Sequence, residues 1–197
     1  MEKKQQNTKV QIMKIAGKLF SQRGYYGVSM SDIAQELNLT KSSLYYHFAS
    51  KDKLVEELVE NAVKDLKKEL KTSVQKSHLL SDVIFNVVKT LLDFKISHPE
   101  ISLLVSLGAT TDNKIPILGL LTQLRTDLLM FIRELIEGAD LVRKFTYRSL
   151  LSFTTTILGF VLSPFHGGDR SPDQLADDFT QLLFTDPDEM AKQTVKK

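Results

Sequence analysis

Apolar side chains recur at helical spacing through most of this chain, and that spacing restricts the fold to packed helices. The clearest run holds five apolar residues, each four positions after the last: Leu54, Leu58, Ala62, Leu66 and Leu70. Residues at this spacing share one face of a helix, which can be buried against neighbouring helices. No stretch alternates apolar and polar residues between hairpin turns, as a half-buried strand would. The sequence therefore predicts an all-α protein.

Capping and helix-breaking residues divide the chain into about nine helices. The second helix opens with a capping box, in which Ser29 caps and Asp32, three residues later, returns the bond. Gly24 and Gly138 are expected to end helices, and Pro99 to start one. The predicted helices cover approximately residues 8–23, 29–37, 40–47, 50–72, 79–97, 99–108, 117–137, 141–163 and 173–184. The face of the first helix expected to be buried holds Val10, Met13, Ala16, Leu19 and Phe20.

Composition excludes several classes of protein. None of the 197 residues is cysteine, so disulfides, thiolate catalysis and cysteine-ligated zinc are ruled out. The first ten residues carry charge with no apolar run behind them, and no secretory signal is expected. Residues 149–168 form the longest uncharged run, but Ser, Thr, Pro and Gly dilute it. A buried or interface helix is favoured there over a membrane span, and a cytoplasmic location is expected.

Charge is distributed unevenly between the two ends of the chain. Residues 1–53 hold nine Lys/Arg and four Asp/Glu, a net charge of 9 − 4 = +5. The remaining residues hold 17 and 20, a net charge of −3, within the overall +2. The basic N-terminal segment is therefore the part expected to meet a polyanion.

Residues 29–48 fit a helix-turn-helix, in which a small residue lets two short helices cross closely. Ala34 is that residue, and Leu37, Leu44 and Phe48 are expected to seal the small core beneath. Polar and aromatic side chains remain for the outer face of the third helix. Hydroxyl, ammonium and phenol groups of this kind bind phosphate oxygens and base edges in DNA. These outer residues are Thr40, Lys41, Ser42, Ser43, Tyr45, Tyr46 and His47, with Lys51 at the start of the next helix.

The stretch GYYGVSMSDIAQELNLTKSSLYYHFASKDKLVEEL resembles the DNA-binding head of TetR-family transcriptional regulators. The likeness covers about residues 9–60. It implies that Lys41, Ser42 and Ser43 face the major groove, with Tyr45 near bases or a thymine methyl. It further implies phosphate contacts from Thr40, Tyr46, His47 and Lys51, and backbone contacts from Ser29, Met30 and Ser31. Many relatives carry Arg or Lys near Met30 or Ser31 and this chain carries neither, which argues against base contacts from the second helix.

An enzyme is the alternative from another class, and the sequence disfavours it. His47 has no second histidine four residues away and no glutamate partner, so neither a metal site nor a catalytic base is predicted. The segment GGDRSPD lacks the Gly-Lys-Ser/Thr ending of a phosphate-binding loop. No catalytic residue, cofactor, metal or membrane partner is expected.

The resemblance implies a two-part chain: a head at 6–66 and a ligand-binding and dimerisation part at 67–197. Homodimerisation is expected because paired heads read two DNA half-sites about 34 Å apart or more. The residues expected at the dimer interface, or alternatively in the chain's own core, are Phe153, Thr154, Ile157, Val161, Leu175, Phe179 and Leu182. The residues expected to contact a small hydrophobic or aromatic ligand are Phe85, Phe94, His98, Arg125, Phe131, Tyr147, Thr155 and Phe160.

The function predicted on this basis is a DNA-binding transcriptional regulator, a repressor released from operator DNA by its ligand. The alternative is a TetR-like DNA-binding protein without a small-molecule effector, which a protein partner regulates or which acts architecturally. The operator and the effector cannot be read from the residues.

Overall fold

The computed structural model describes residues 2–77, 79–103, 117–137, 155–157, 159 and 170–184. All regular secondary structure in these ranges is helical, which confirms the all-α prediction. Residues 155–157 and 159 also have helical backbone. The elements are α1 Glu2–Arg23, α2 Met30–Glu36, α3 Lys41–His47, α4 Lys51–Val74, α5 Leu80–Ser97, a 3₁₀ turn Pro99–Ser102, α6 Leu118–Glu137 and α7 Pro172–Phe184.

Two predicted boundaries need correction. Helix α1 begins at Glu2 rather than near residue 8, since residues 2–6 are Glu, Lys and Gln, which all favour helix. The segment after Pro99 forms a 3₁₀ turn as far as Ser102, and residues 104–116 lie outside the described residues. Most of the predicted eighth helix lies outside them as well.

Helix α1 buries a face slightly different from the predicted one. Ala16, Leu19 and Phe20 are buried as expected, and the fully buried Ile12 joins them. Val10 is 59 % exposed, so its place on the buried face was wrong. Two residues along a helix are about 200° apart around its axis, and burying Ile12 therefore turns Val10 outward. Gly24 ends the helix with a φ of +67°, and its N–H donates to Phe20 O at 2.8 Å.

Helices α2 and α3 are set by caps close to them in sequence. The capping box is confirmed: Asp32 N–H donates to Ser29 Oγ at 3.2 Å, and Ser29 N–H donates to Asp32 Oδ2 at 2.7 Å. Asn38 turns the chain with a φ of +52°, and Leu39 N–H donates to Ala34 O at 2.9 Å. Thr40 Oγ1 accepts from Ser43 N–H at 3.1 Å, which confirms the predicted cap of α3.

Helix α4 is the central element of the fold. All five of its predicted apolar residues, from Leu54 to Leu70, are buried. It packs against α1, α5, α6 and the 3₁₀ turn, while α7 packs on α5. The buried side chains form one continuous cluster from Ile12 to Ala176. We call α1–α3 with the first turns of α4 the head, and the other described helices the body. The predicted boundary at 66/67 falls inside α4 and stays a prediction.

The 3₁₀ turn joins the body to the head. Ile101 is fully buried in it, and the turn packs against α1, α4 and α5. Glu100 is buried against Gly17 of α1 so closely that a Cβ at Gly17 would lie 3.0 Å from Glu100 Oε2. His98 Nδ1 lies 3.1 Å from Glu100 Oε1, and the His98 ring stacks on Phe94 with centroids 4.2 Å apart. A movement of this turn would therefore press directly on α1.

Among the described helices, none combines the length and the apolar character needed to cross a membrane.

Candidate nucleic-acid interface

Helix α3 is anchored by two side chains that point into the head. Leu44 is fully buried and Phe48 nearly so, in the same apolar cluster as Ile33 and Ala34 of α2. These residues confirm the predicted core of the helix-turn-helix. Their burial sets the rotation of α3 and so decides which of its side chains face outward.

The outward face of α3 carries polar and aromatic side chains. Lys41 and Ser42 are exposed, and Ser43 and His47 are partly exposed. Tyr45 is 49 % exposed and Tyr46 is 73 % exposed, so both rings lie on the surface as the sequence predicted. The Tyr46 and His47 rings meet edge to face, with centroids 5.4 Å apart. Exposed tyrosines of this kind present a ring and a phenol to a partner at once.

The electrostatic character of this face follows from its composition. Residues 40–51 contain Lys41, His47 and Lys51 and no Asp or Glu. Thr40 uses its hydroxyl oxygen as an acceptor in the cap, and the hydroxyl hydrogen stays available to a second acceptor. A surface with these groups attracts phosphate and offers donors to it.

Lys51 is held in a site that the sequence did not suggest. Its Nζ donates to Tyr25 O at 3.0 Å and Val28 O at 3.1 Å, and lies 4.0 Å from the centre of the Tyr25 ring. Burial lowers the pKa of Lys51. The Tyr25 hydroxyl donates a hydrogen bond to Asp52. The pKa of Tyr25 is raised, mainly because the ring is partly buried and next because of this bond. Lys51 thus holds the α1–α2 loop against α4, and one of its three donors is left for a phosphate.

The first turn of α2 needs one correction. The Met30 side chain is 7 % exposed and packs in the head core, so it cannot contact DNA as predicted. Ser29 is exposed and Ser31 partly exposed. The Ser29 hydroxyl and N–H both bond Asp32, which lowers the pKa of that carboxyl. Ser29 is therefore engaged in holding α2.

The head corresponds to a known family. Residues 12–58 match the family model described as bacterial regulatory proteins, tetR family. The head therefore resembles the N-terminal domain of tetR-family regulatory proteins.

Three named relatives resemble the chain over longer stretches. The chain is 33 % identical over 94 residues to the biofilm operon icaADBC HTH-type negative transcriptional regulator IcaR of Staphylococcus aureus (strain Newman). That match covers 48 % of this chain and 50 % of IcaR, so the chain spans about half the length of the curated relative.

A TetR-family regulator from Bordetella parapertussis 12822 superposes with a TM-score of 0.73 at 21 % identity, covering 92 % of this chain and 96 % of that one. AibR, in complex with isovaleryl coenzyme A and operator DNA, superposes with a TM-score of 0.69 at 21 % identity over 88 % and 96 %. The structural likenesses establish the TetR fold for head and body together.

The ligand residues predicted for the body are not gathered in one place by the described structure. Phe94 is buried in the core with the His98 ring stacked on it, and its contact with a ligand stays a prediction. Phe85 and Phe131 are partly buried, Thr155 is exposed and Arg125 is partly buried. Tyr147 and Phe160 lie outside the described residues.

A groove of about 450 Å³ lies between α4 and α5, and the sequence did not predict it. Of the predicted ligand residues that the structure describes, only His98 borders it. The other residues around it are polar: Asp65, Lys68, Glu69, Thr72, Ser73, Thr90 and Asp93. The spacing of apolar residues predicts only the buried faces of α4 and α5. It therefore gave no signal for a groove lined by their polar side chains.

The residues predicted at the dimer interface fall into three groups: buried, partly buried and outside the described residues. Ile157 is fully buried within the single chain and belongs to its own core, which corrects its place in the interface list. Leu175 and Phe179 are partly buried on α7, whose Ala176 is fully buried. Phe153, Thr154, Val161 and the side chain of Leu182 lie outside the described residues.

Proposed function

We propose that this chain is a DNA-binding transcriptional repressor that reads its operator with α3. The observation that carries the proposal is the outward face of α3, where Lys41, Tyr45 and Tyr46 are exposed while Leu44 and Phe48 are buried. The sequence match to a negative regulator over half its length supports repression.

The side chains of α3 have separate roles in this proposal. Lys41, Ser42 and Ser43, at the start of the helix, enter the major groove and contact base edges. Tyr45 packs on a base or a thymine methyl. Thr40, Tyr46 and His47 donate to phosphates and set the register of the helix on the duplex. Ser29 and Ser31 touch the DNA backbone, and Lys51 adds one phosphate contact with its remaining donor.

Dimerisation supplies the second half-site. In this proposal α7 and the segment around residues 153–161 pair across a two-fold axis, with Leu175 and Phe179 of α7 in the interface. Both side chains keep part of their surface uncovered in the single chain. Two heads then meet half-sites one or more helical turns apart.

An effector bound in the body releases the DNA by changing the distance between the heads. A ligand that prefers one arrangement shifts the population toward it. Helix α4 runs from head to body, and the 3₁₀ turn packs on both α1 and α5. These two elements are the physical connection along which the change would pass.

The experiment is a fluorescence anisotropy titration of DNA from upstream of the chain's own gene, against unrelated DNA of the same length, at several KCl concentrations. We expect specific binding, with the logarithm of the affinity falling linearly as the logarithm of salt rises. Lys41→Ala should weaken it, whereas Lys71→Ala, which removes the same charge from the exposed side of α4, should not.

Affinity that did not depend on salt would contradict the phosphate contacts. Equal binding by Lys41→Ala and the wild type would contradict α3 as the recognition helix.

A further inference from the structure

The loop that joins α1 to α2, residues 24–28, has its shape set by a glycine near each end. Gly24 ends α1 with a φ of +67°, in the left-handed region that glycine adopts without strain. A Cβ at Gly27 would collide with Arg23 O, because the chain passes close to the end of α1 at this point. The path of the loop is therefore fixed by its own backbone.

Contacts with the start of α4 hold the same loop in place. Lys51 Nζ donates to Tyr25 O at 3.0 Å and to Val28 O at 3.1 Å, one carbonyl on each side of the middle of the loop. The Tyr25 hydroxyl donates to Asp52, and the Tyr25 ring is buried beside Phe20 with centroids 6.3 Å apart. A loop held in this way has little conformational freedom left to lose when it binds a partner.

Tyr26 is the large side chain that this loop turns outward. It is 63 % exposed, whereas Tyr25 and Val28, the other large residues of the loop, are buried. The Tyr26 ring meets the Tyr25 ring edge to face, with centroids 5.5 Å apart, and Lys51 Nζ lies over that same buried ring. A tyrosine offers a large contact area with few rotatable bonds, which suits a binding surface.

The chain around Tyr26 carries positive charge. Residues 7–31 contain four Lys/Arg and no Asp or Glu. The two carboxylates bonded to residues 25–29 are engaged within the head, since Asp32 accepts from Ser29 and Asp52 accepts from Tyr25. The loop itself presents no carboxylate, so its charge favours a partner that brings phosphates.

Tyr26 also lies beside residues of the proposed DNA-binding surface. Ser29, before the first turn of α2, follows three residues later, a separation that the chain spans within about 11 Å. Lys51, at the start of α4, is bonded to the carbonyl of the residue before Tyr26. Tyr26 is thus the third strongly exposed tyrosine of the head, after Tyr45 and Tyr46.

We infer that Tyr26 is a further DNA contact, whose ring packs on the sugar–phosphate backbone beside the phosphate that Lys51 meets. The inference rests on the proposed operator binding and extends the interface to the loop between α1 and α2. The fixed loop places the ring before DNA arrives, so that the contact requires little ordering. A backbone contact of this kind sets the register of the head on the duplex without reading bases.

Photo-crosslinking tests where position 26 lies in the complex. The full chain, with p-benzoyl-phenylalanine in place of Tyr26, is irradiated with the labelled upstream DNA used in the anisotropy titration. We expect a covalent protein–DNA product. The matched control carries the same group in place of Ile96, which is 72 % exposed on α5 in the body, and should give no such product.

Two substitutions test whether the ring makes the contact. Tyr26→Ala should weaken operator binding roughly fivefold, because an apolar contact made on binding is lost. Tyr26→Phe keeps the ring and should bind within about twofold of the wild type. The slope of log affinity against log salt should stay unchanged in both, since no charge is removed. Both should melt within about 2 °C of the wild type because the ring is exposed.

Several outcomes would overturn the inference. They are a complex that forms without a DNA crosslink from position 26, an equal DNA crosslink from position 96, or a crosslink from position 26 to a second protein chain only. Equal affinity of Tyr26→Ala and the wild type would do the same.

Three further results would also decide against the ring contact. Tyr26→Phe binding as weakly as Tyr26→Ala would remove the ring from the interface, and a melting temperature of Tyr26→Ala lowered along with its affinity would make Tyr26 a support of the head. A wild type without specific DNA binding would overturn this inference and the proposed function together. Specific binding with no crosslink from position 26 would leave the repressor standing and remove Tyr26 alone.

Discussion

The exposed face of α3 in the head carries cations and no acid, whereas the groove between α4 and α5 in the body carries acids and bases together. In the head, Lys41, Tyr45 and Tyr46 lie on the surface of α3. In the body, Asp65, Glu69 and Asp93 border the groove beside Lys68. An exposed face that carries only positive charge suits a large partner such as a DNA duplex that brings many phosphates. A face of mixed charge does not select a polyanion. The following predictions test whether head and body differ in this way and whether they are coupled.

The largest effect should come from the core that head and body share. Leu66 is fully buried on α4, and Leu66→Ala should lower the free energy of unfolding by about 2–5 kcal/mol through lost contacts and a cavity. Four of the five tyrosines lie in the head and the chain has no tryptophan, so tyrosine fluorescence mainly reports the head. Far-ultraviolet circular dichroism reports all helices.

We expect both signals of Leu66→Ala to shift together, as in a single cooperative unit. The exposed Lys71→Ala on the same helix is the matched control. A head transition that stayed in place while the helical signal shifted would show that the two regions unfold independently.

Removing Lys41 should give the next largest effect, and only on DNA binding. Lys41→Ala should reduce operator affinity roughly tenfold, within the range of about 1–3 kcal/mol for a recognition side chain. Its melting temperature should stay near that of the wild type because Lys41 is exposed. The measurement pairs anisotropy with thermal melting. A variant that lost stability as well as affinity would mean that Lys41 also holds the head together.

Lys51 lies between these cases, because it contacts the head's own backbone and can reach a phosphate. Lys51→Met should lower the free energy of unfolding by about 1–2 kcal/mol, through two lost charge-assisted hydrogen bonds and a cation–π contact in a partly exposed site.

The salt dependence of DNA binding separates the two roles of Lys51. Loss of a phosphate contact would reduce the slope of log affinity against log salt by about 1, whereas loss of a purely positioning residue would leave it unchanged. A stable variant with a reduced slope would make Lys51 a phosphate contact only.

The smallest effect should come from the cap of α2. Ser29→Ala should cost about 1 kcal/mol of stability. The pKa of Asp32 is lowered in the folded state by its hydrogen bonds from Ser29, so the unfolded chain binds the proton more tightly. The stabilisation is present above the ordinary aspartate pKa, about 3.9, and is lost as the pH falls through the lowered value.

Asp32→Asn should therefore show less loss of melting temperature than the wild type over that acidic range. Identical pH profiles for the two proteins would contradict this role of Asp32.

The parts of the fold that depend on near neighbours could be predicted from the sequence. Ser29 and Asp32, Thr40 and Ser43, and the leucines of α4 interact within four residues, so helix geometry alone brings them together. The division of α3 into a buried side with Leu44 and an exposed side with Tyr45 and Tyr46 follows from the same geometry. The family likeness added what the exposed side touches, and the family match to residues 12–58 supports it.

The tertiary structure decided what lies between residues far apart in the chain. Lys51 reaches Tyr25 O across 26 positions, and no local pattern predicts that contact. Met30 looks exposed next to two serines, yet its side chain fills the head core. Spacing fixes which face a side chain occupies, but only packing determines what that face meets.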